Sequence, residues 1–180
     1  MSTPTNQSPI QSPVHSSELL MGVPTQDSSE SNEILVDSLT FQVPLKPTAL
    51  QRPRFIRKGP RAGHVYDPSS SDKKKWMNCA QSHLPCKPMT GPLKITLKFY
   101  YQRPKSHYRT GKYSHILKSS APHHHYKMPD LDNLVKFVLD AMNARFFEDD
   151  RQICEIIASK HYTTDSSYTS VHLETISDSL

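Results

Sequence analysis

The 180-residue chain is short of glycine, with 5 against 15 prolines, and holds one tryptophan and three cysteines. Cys79, Cys86 and Cys154 form neither an even framework nor a Cys-x-x-Cys pair, so they read as reduced intracellular thiols; Cys79 and Cys86 are expected to be packing residues. No run reaches the roughly 18 consecutive apolar residues of a membrane span. The longest early run, Leu19-Leu20-Met21-Gly22-Val23, lacks the basic flank of a signal peptide, and no Lys or Arg precedes Lys46, so neither secretion, membrane insertion nor an Arg-rich leader is expected. Hydrophobic residues are scarce at 35%, below the globular average, which implies that part of the chain has no core of its own. The length fits one ordinary domain with a tail.

Charge of one sign is missing from whole stretches. Residues 1–36 hold no Lys or Arg and four acids; residues 37–127 hold 18 Lys and Arg against three acids; residues 128–180 reverse this with four against ten. The net charge is +5, and the basic middle is suited to a polyanion such as nucleic acid, whose counterions are released as phosphates are neutralised. A solvated basic face is the alternative reading, and charge does not choose between DNA and RNA.

Residues 1–36, rich in Ser, Thr, Pro, Gln and Asn, read as a disordered tail, with too few clustered apolar side chains to offset the entropy of ordering. Order is expected from about Ser38, where Leu39, Phe41 and Val43 alternate with polar residues until Pro44. Arg54-Phe55-Ile56 and His64-Val65-Tyr66 suggest a short strand and its return. Ser71 to Leu84 fits a helix that turns Trp76, Met77 and Ala80 inward and stops at Pro85. Leu93, Ile95, Leu97, Phe99 and Tyr101 alternate with Lys94, Thr96, Lys98 and Tyr100, which predicts a strand with one basic, exposed face. Gln102 to Lys127 has hardly an apolar patch and reads as a long functional loop. Leu131, Leu134, Val138 and Met142 recur at helical spacing, with Asp132 as N-cap and Asn143 as left-handed C-cap. Ile153 to Tyr162 and Tyr168 to Ile176 are expected strands, joined by a turn at Asp165-Ser166.

Pro129 biases Met128 to an extended backbone, so Asp130-Leu131-Asp132 is expected to leave an extended segment, in which Asp130 and Asp132 share a side. Glu148-Asp149-Asp150 follows the apolar pair Phe146-Phe147 and could fold back beside them. Three carboxylates within about 4 Å of one another repel by roughly 4 kcal/mol per pair at an effective dielectric near 20, which a divalent cation relieves. Carboxylate oxygens suit Mg²⁺ or Mn²⁺. An ordinary alternative stands beside this: Asp132 caps a helix, Glu148 to Asp150 form a solvated turn, and Asp132, Lys136 and Asp140 make a surface ion-pair chain at i, i+4 spacing. In the functional version Lys136 stabilises negative charge on a phosphate.

His123-His124-His125 cannot converge on one ion in a simple loop and are expected in solvent or against phosphate. Tyr100, Tyr101, Tyr108, Tyr113 and Tyr126 interleave with Arg103, Lys105, Arg109 and Lys112. That mixture suits stacking on unpaired bases, and equally a strand end whose tyrosines pack over the core.

The run from Pro129 to Asn143, followed by Phe147-Glu148-Asp149-Asp150-Arg151-Gln152-Ile153, resembles the RusA-like Holliday junction resolvases, a family of crossover junction endodeoxyribonucleases. Val43-Pro44-Leu45-Lys46-Pro47, Gln51-Arg52-Pro53-Arg54 and Arg103-Pro104-Lys105-Ser106-His107-Tyr108 are also similar, so the resemblance spans about residues 38 to 176. It implies a small single-domain α/β fold, a mixed sheet with flanking helices over residues 37–180, working as a homodimer on four-way or branched DNA. It places Asp130, Asp132 and Asp150 on the family's metal-binding aspartates and Lys136 on its catalytic lysine; Asp140 and Asp149 also match acidic positions. Arg52, Arg54, Arg103, Lys105, His107, Tyr108 and Arg109 become candidate DNA contacts. The implied reaction is Mg²⁺-assisted phosphodiester hydrolysis leaving a 5′-phosphate, with Mn²⁺ as substitute. Two departures stand out: Ala144 where the family commonly has Gly, and Glu148 where a basic or neutral residue is frequent. The expectation is an intracellular enzyme of DNA recombination and repair. The alternatives are a non-catalytic protein that holds branched or single-stranded DNA, and a broader flap or branch nuclease.

Overall fold

Residues 37–57, 59 and 63–177 are described by the computed structural model; the expected tail, residues 1–36, lies outside them. The strands are β1 (Ser38–Val43), β2 (Arg54–Arg57), β3 (Gly63–Tyr66), β4 (Leu93–Gln102), β5 (Ile153–Thr163) and β6 (Tyr168–Thr175), and the helices are α1 (Ser70–Ala80) and α2 (Leu131–Met142). A four-stranded mixed sheet runs in the order β1-β6-β4-β5, with β5 parallel to β4 and the other pairs antiparallel. This is the expected α/β class.

The alternation in β4 sorts its side chains by face. Leu93, Ile95, Leu97, Phe99 and Tyr101 are buried, against α2 residues Leu134, Phe137, Val138, Ala141 and Met142 and α1 residues Trp76 and Ala80. Burying such side chains contributes about 1.5 to 3 kcal/mol each. The opposite face is a polar ladder in which Lys94 lies 3.5 Å from Glu155 and 3.4 Å from Glu174, and Thr40 bonds His172 at 2.7 Å. The face expected to be simply basic is therefore partly neutralised by its strand neighbours.

Other expectations are also corrected. The turn at Asp165-Ser166 does not join a hairpin, because β4 lies between β5 and β6. The crossover that a parallel pair requires is the whole stretch from Arg103 to Gln152, with α2 inside it. Helix α1 ends at Ala80 and a 3₁₀ turn, Gln81–His83, carries the chain on. Cys79 and Cys86 are exposed, not packed, and Cys154 is exposed as well; all three are free thiols. Helix α2 begins at Leu131, so the extended backbone ends at Asp130 (φ −70, ψ 145), and Asp130, not Asp132, takes the N-cap position. At the other end Asn143 is extended in ψ (139) and the left-handed residue is Ala144 (φ 59). Burial of Phe146 and Phe147 fixes this turn: Phe146 stacks on Phe41 at 5.0 Å, and the Met89 N–H donates to the Phe146 carbonyl at 2.8 Å.

Candidate active site

Helix α2 owes its position to one apolar face, and its first turn projects from the sheet with its acids in solvent. Asp130 holds the N-cap position, where a carboxylate ordinarily accepts a backbone N–H, yet its side chain makes no capping hydrogen bond. Asp132, in the first turn, is exposed, and its one ion-pair neighbour among the described residues is Lys136, 3.9 Å away at i+4 and also exposed. A pair so exposed contributes at most about 1 kcal/mol to folding. These groups do little for the fold and remain available to a ligand.

Asp140 and Asp149, by contrast, are occupied. Asp140 does not continue the chain through Lys136; it lies 3.1 Å from Lys73, which is also 2.7 Å from Asp67, so the trio ties α2 to α1. The hydrogen bond from Lys73 holds the Asp67 carboxyl below its usual range. Asp149 caps the 3₁₀ turn Asp150–Gln152, accepting from the Arg151 N–H at 2.9 Å and from its guanidinium at 2.8 and 3.1 Å, while Gln152 returns a bond to the Asp149 N–H at 2.9 Å. Arg151 is the main cause that pulls the Asp149 carboxyl down to about 2. Asp150 opens that turn and is exposed.

Among the described residues no three His, Cys, Asp or Glu side chains converge closely enough to hold an ion. The gathering of Asp150 beside Asp130 and Asp132 into a closed cage is thus absent from this arrangement. Mutual repulsion of roughly 4 kcal/mol per pair at 4 Å favours carboxylates that stand apart. In kind, the donors fit a hard divalent ion, being exposed carboxylates of which Asp130 enters no ion pair among the described residues.

Behind the acids lies a support that residue types alone did not indicate. The Lys160 ammonium, on β5, donates to the Pro129 carbonyl at 2.6 Å and to the Lys127 carbonyl at 2.9 Å, which fixes the chain immediately before Asp130. Backbone acceptors leave no pattern in a sequence, so Lys160 had no signal. The Met128-Pro129 peptide is cis. Beside it a cleft of about 450 Å³ is lined by Lys46, Tyr101, His125, Lys127 and Pro129 among others.

The candidate DNA contacts fall into two groups. Arg52, Arg54, Lys105 and Arg109 are exposed. Arg103 and His107 are used internally: Arg103 donates to the Pro122 carbonyl at 2.8 Å and sits 5.5 Å from the Tyr162 ring centre, and His107 meets the same ring edge-on at 4.7 Å. Tyr108 is half-buried and bridges to Leu117. His125, expected in solvent or against phosphate, is instead buried and stacked on Tyr101 at 4.0 Å, its backbone N–H donating to the Lys160 carbonyl at 3.1 Å. Burial, then the charge of Lys160, pushes His125 below the usual imidazole range. Of the five tyrosines, Tyr101 packs inside and Tyr100 stacks on Tyr168, whereas Tyr113 and Tyr126 are exposed. The long loop is thus partly core.

No helix among the described residues is long and apolar enough to cross a membrane. A family model described as "Endodeoxyribonuclease RusA" matches residues 44–174. The chain is also similar to "Uncharacterized protein YqaN" of Bacillus subtilis (strain 168), 34% identical over 131 residues that cover 71% of this chain and 90% of that protein.

Proposed function

Because the chain belongs to the endodeoxyribonuclease RusA family, we propose that it resolves Holliday junctions and related branched DNA by paired, symmetric nicks that depend on a divalent metal ion. One observation carries this reading: the fold holds Asp130 and Asp132 at the exposed start of α2, with Lys136 one turn on, and gives their carboxylates no capping or burial role. The activity resides in residues 37–180, and the enzyme works inside the cell, in recombination and repair.

Asp130, Asp132 and Asp150 would hold the ion, Mg²⁺ first and Mn²⁺ as a substitute, since hard carboxylate oxygens suit both. When bound, such an ion activates water and offsets charge on the phosphate, the chemistry of a hydrolysis that leaves a 5′-phosphate. Lys136 places an ammonium within 3.9 Å of Asp132, where it stabilises negative charge developing on the phosphate. Lys160 is a positioning residue, since its two hydrogen bonds hold the approach to Asp130. Arg52, Arg54, Lys105 and Arg109 grip phosphates, and binding weakens as salt rises.

Two nicks across a junction call for two sites, and we assign the protein a homodimer. The outer edge of β5 meets His123–His125 only at its C-terminal end, through a bridge at His161, and among the described residues its earlier part leaves Ile156 and Ile157 about half exposed, at 48% and 51%. Light scattering with junction present is expected to give a dimeric mass; a monomer would remove this part.

The decisive assay is a labelled immobile junction incubated with Mg²⁺, with and without chelator, beside three-way, flap and linear substrates. Symmetric nicks that vanish with chelator are expected. Binding without cutting under all metals would leave a junction-holding protein, and equal cutting of flaps would widen the substrate class.

A further inference from the structure

The β2–β3 hairpin is the part of the fold that the core does not use. Phe55 and Val65 face each other across its two strands and are 63% and 66% exposed. Among the described elements, the substantial partner of each strand is the other strand. The far edge of the Phe55 ring lies over Gly63, and a Cβ on that residue would run into the ring. The missing side chain therefore gives the ring a seat, as an aromatic covers a strand glycine, while leaving most of it in solvent.

An exposed apolar pair of this sort marks a binding surface, and its surroundings identify the partner. Arg54 and Arg57 flank Phe55 on β2, Arg52 precedes them, and none of the three sits in an ion pair among the described residues. From residue 38 to residue 66 the sequence holds six Lys and Arg and no acid. A second copy would set like charge against like charge. A polyanion that also offers flat apolar faces satisfies both demands, and nucleic acid is that polymer.

We propose that this hairpin is a stacking wedge for the branch point of the DNA: Phe55, backed by Val65, stacks on a base that has lost its neighbour at the branch, and Arg52, Arg54 and Arg57 hold the adjoining phosphates. This rests on the branched-DNA reading above, and it concerns how the branch is gripped rather than how it is cut. A continuous duplex hides its base faces within the stack, whereas a branch point exposes them, so an exposed apolar residue on a basic hairpin discriminates by shape. Stacking is tolerant of sequence because every base has a π-face, so the wedge selects branches without reading bases.

The test uses the full chain in chelator, so that nothing is cut, with three DNAs: a four-way junction bearing aminopurine at the branch, the same junction with aminopurine in mid-arm, and a linear duplex. The parent is expected to quench the branch reporter and leave the arm reporter unchanged. Phe55→Ala and Phe55→Leu are each expected to abolish that quench and weaken junction binding roughly tenfold while linear duplex binding holds. The Leu variant keeps an apolar cover on Gly63, so a loss shared by both variants does not come from a collapsed hairpin. Arg54→Ala with Arg57→Ala is expected to lower affinity for all three DNAs and flatten the salt dependence.

A parent that leaves the branch reporter unquenched overturns the wedge, as does unchanged junction binding and quench in both Phe55 variants. Self-association that disappears in Phe55→Ala while DNA binding holds would make a second copy the occupant, and also overturns it. Failure of the nuclease reading looks different: no metal-dependent nicks, with the branch quench intact.

Discussion

The two ends of helix α2 carry similar acids and treat them in opposite ways. At the start, Asp130 stands at the N-cap without capping and, among the described residues, Asp132 pairs only with Lys136, at 3.9 Å in solvent. In the last turn Asp140 is tied to Lys73, and past the end Asp149 is wrapped by Arg151 and Gln152. Carboxylates that the fold employs explain themselves through stability. Those it leaves idle, on a rigid helix end backed by Lys160, are the ones to assign to chemistry.

The comparison is tested most severely by Asp132→Asn. It is expected to lower junction cutting by roughly a hundredfold or more, since even the outer partners of metal ligands commonly cost ten- to a hundredfold. Junction binding should persist, and stability should change by less than about 1 kcal/mol, the scale of a helix-dipole or surface-pair contribution. Unchanged cutting, or a loss of cutting matched by unfolding in circular dichroism, would place Asp132 with the structural acids.

The far end gives the next largest effect, and it is an effect on stability. Ala144 holds φ 59 in an exposed turn, a conformation that costs a residue with a Cβ and that glycine adopts freely. Ala144→Gly is expected to stabilise the protein by about 0.5 to 1 kcal/mol, read as a higher urea midpoint at unchanged slope, with cutting unaltered. A lower midpoint would mean that the turn is held for another reason.

The same turn shows what the sequence could and could not reveal. Strand β4 and helix α2 were legible because alternation and 3.6-residue spacing are written in side-chain type. The exposure of Asp130, Asp132 and Lys136 at the start of α2 followed from the same spacing, which leaves them off the apolar face. Asn143 looked like the left-handed residue because asparagine tolerates that conformation, but the burial of Phe146 and Phe147 sets the path and gives the strain to Ala144. The insertion of β4 between β5 and β6 was hidden, since alternation tells which face is buried and not which strand lies beside it. Asp149-Arg151-Gln152 carried the spacing of a capping box in plain view. Its acid read as part of a candidate metal site because acids there invite a metal.

A smaller effect separates Asp140 from Asp132. Asp140→Asn removes one of the two acids that hold Lys73, an ammonium only about one-fifth exposed. The expected loss is about 0.5 kcal/mol by thermal or urea denaturation, because Asp67 still pairs the lysine. Cutting should stay at the parent level; a large drop would move Asp140 into the active site and blur the distinction between the two ends.

The smallest effect lies in the pH dependence of Asp149. Arg151 holds this carboxyl at about 2 in the folded protein, below the ordinary value of about 3.9 for an unfolded chain. A depressed folded value means that the unfolded state takes up protons first as acid is added, so the contribution is full above about pH 4 and is lost as pH falls through about 2. Asn at 149 keeps an oxygen to accept the Arg151 N–H but drops the charge. Thermal denaturation of parent and Asp149→Asn should therefore show a gap at neutral pH that narrows between about pH 4 and pH 2. A gap that stays constant would mean that the charge contributes nothing and that only the cap matters. No gap at any pH would return Asp149 to the idle acids, and the contrast between the two ends of α2 would then rest on Asp140 alone.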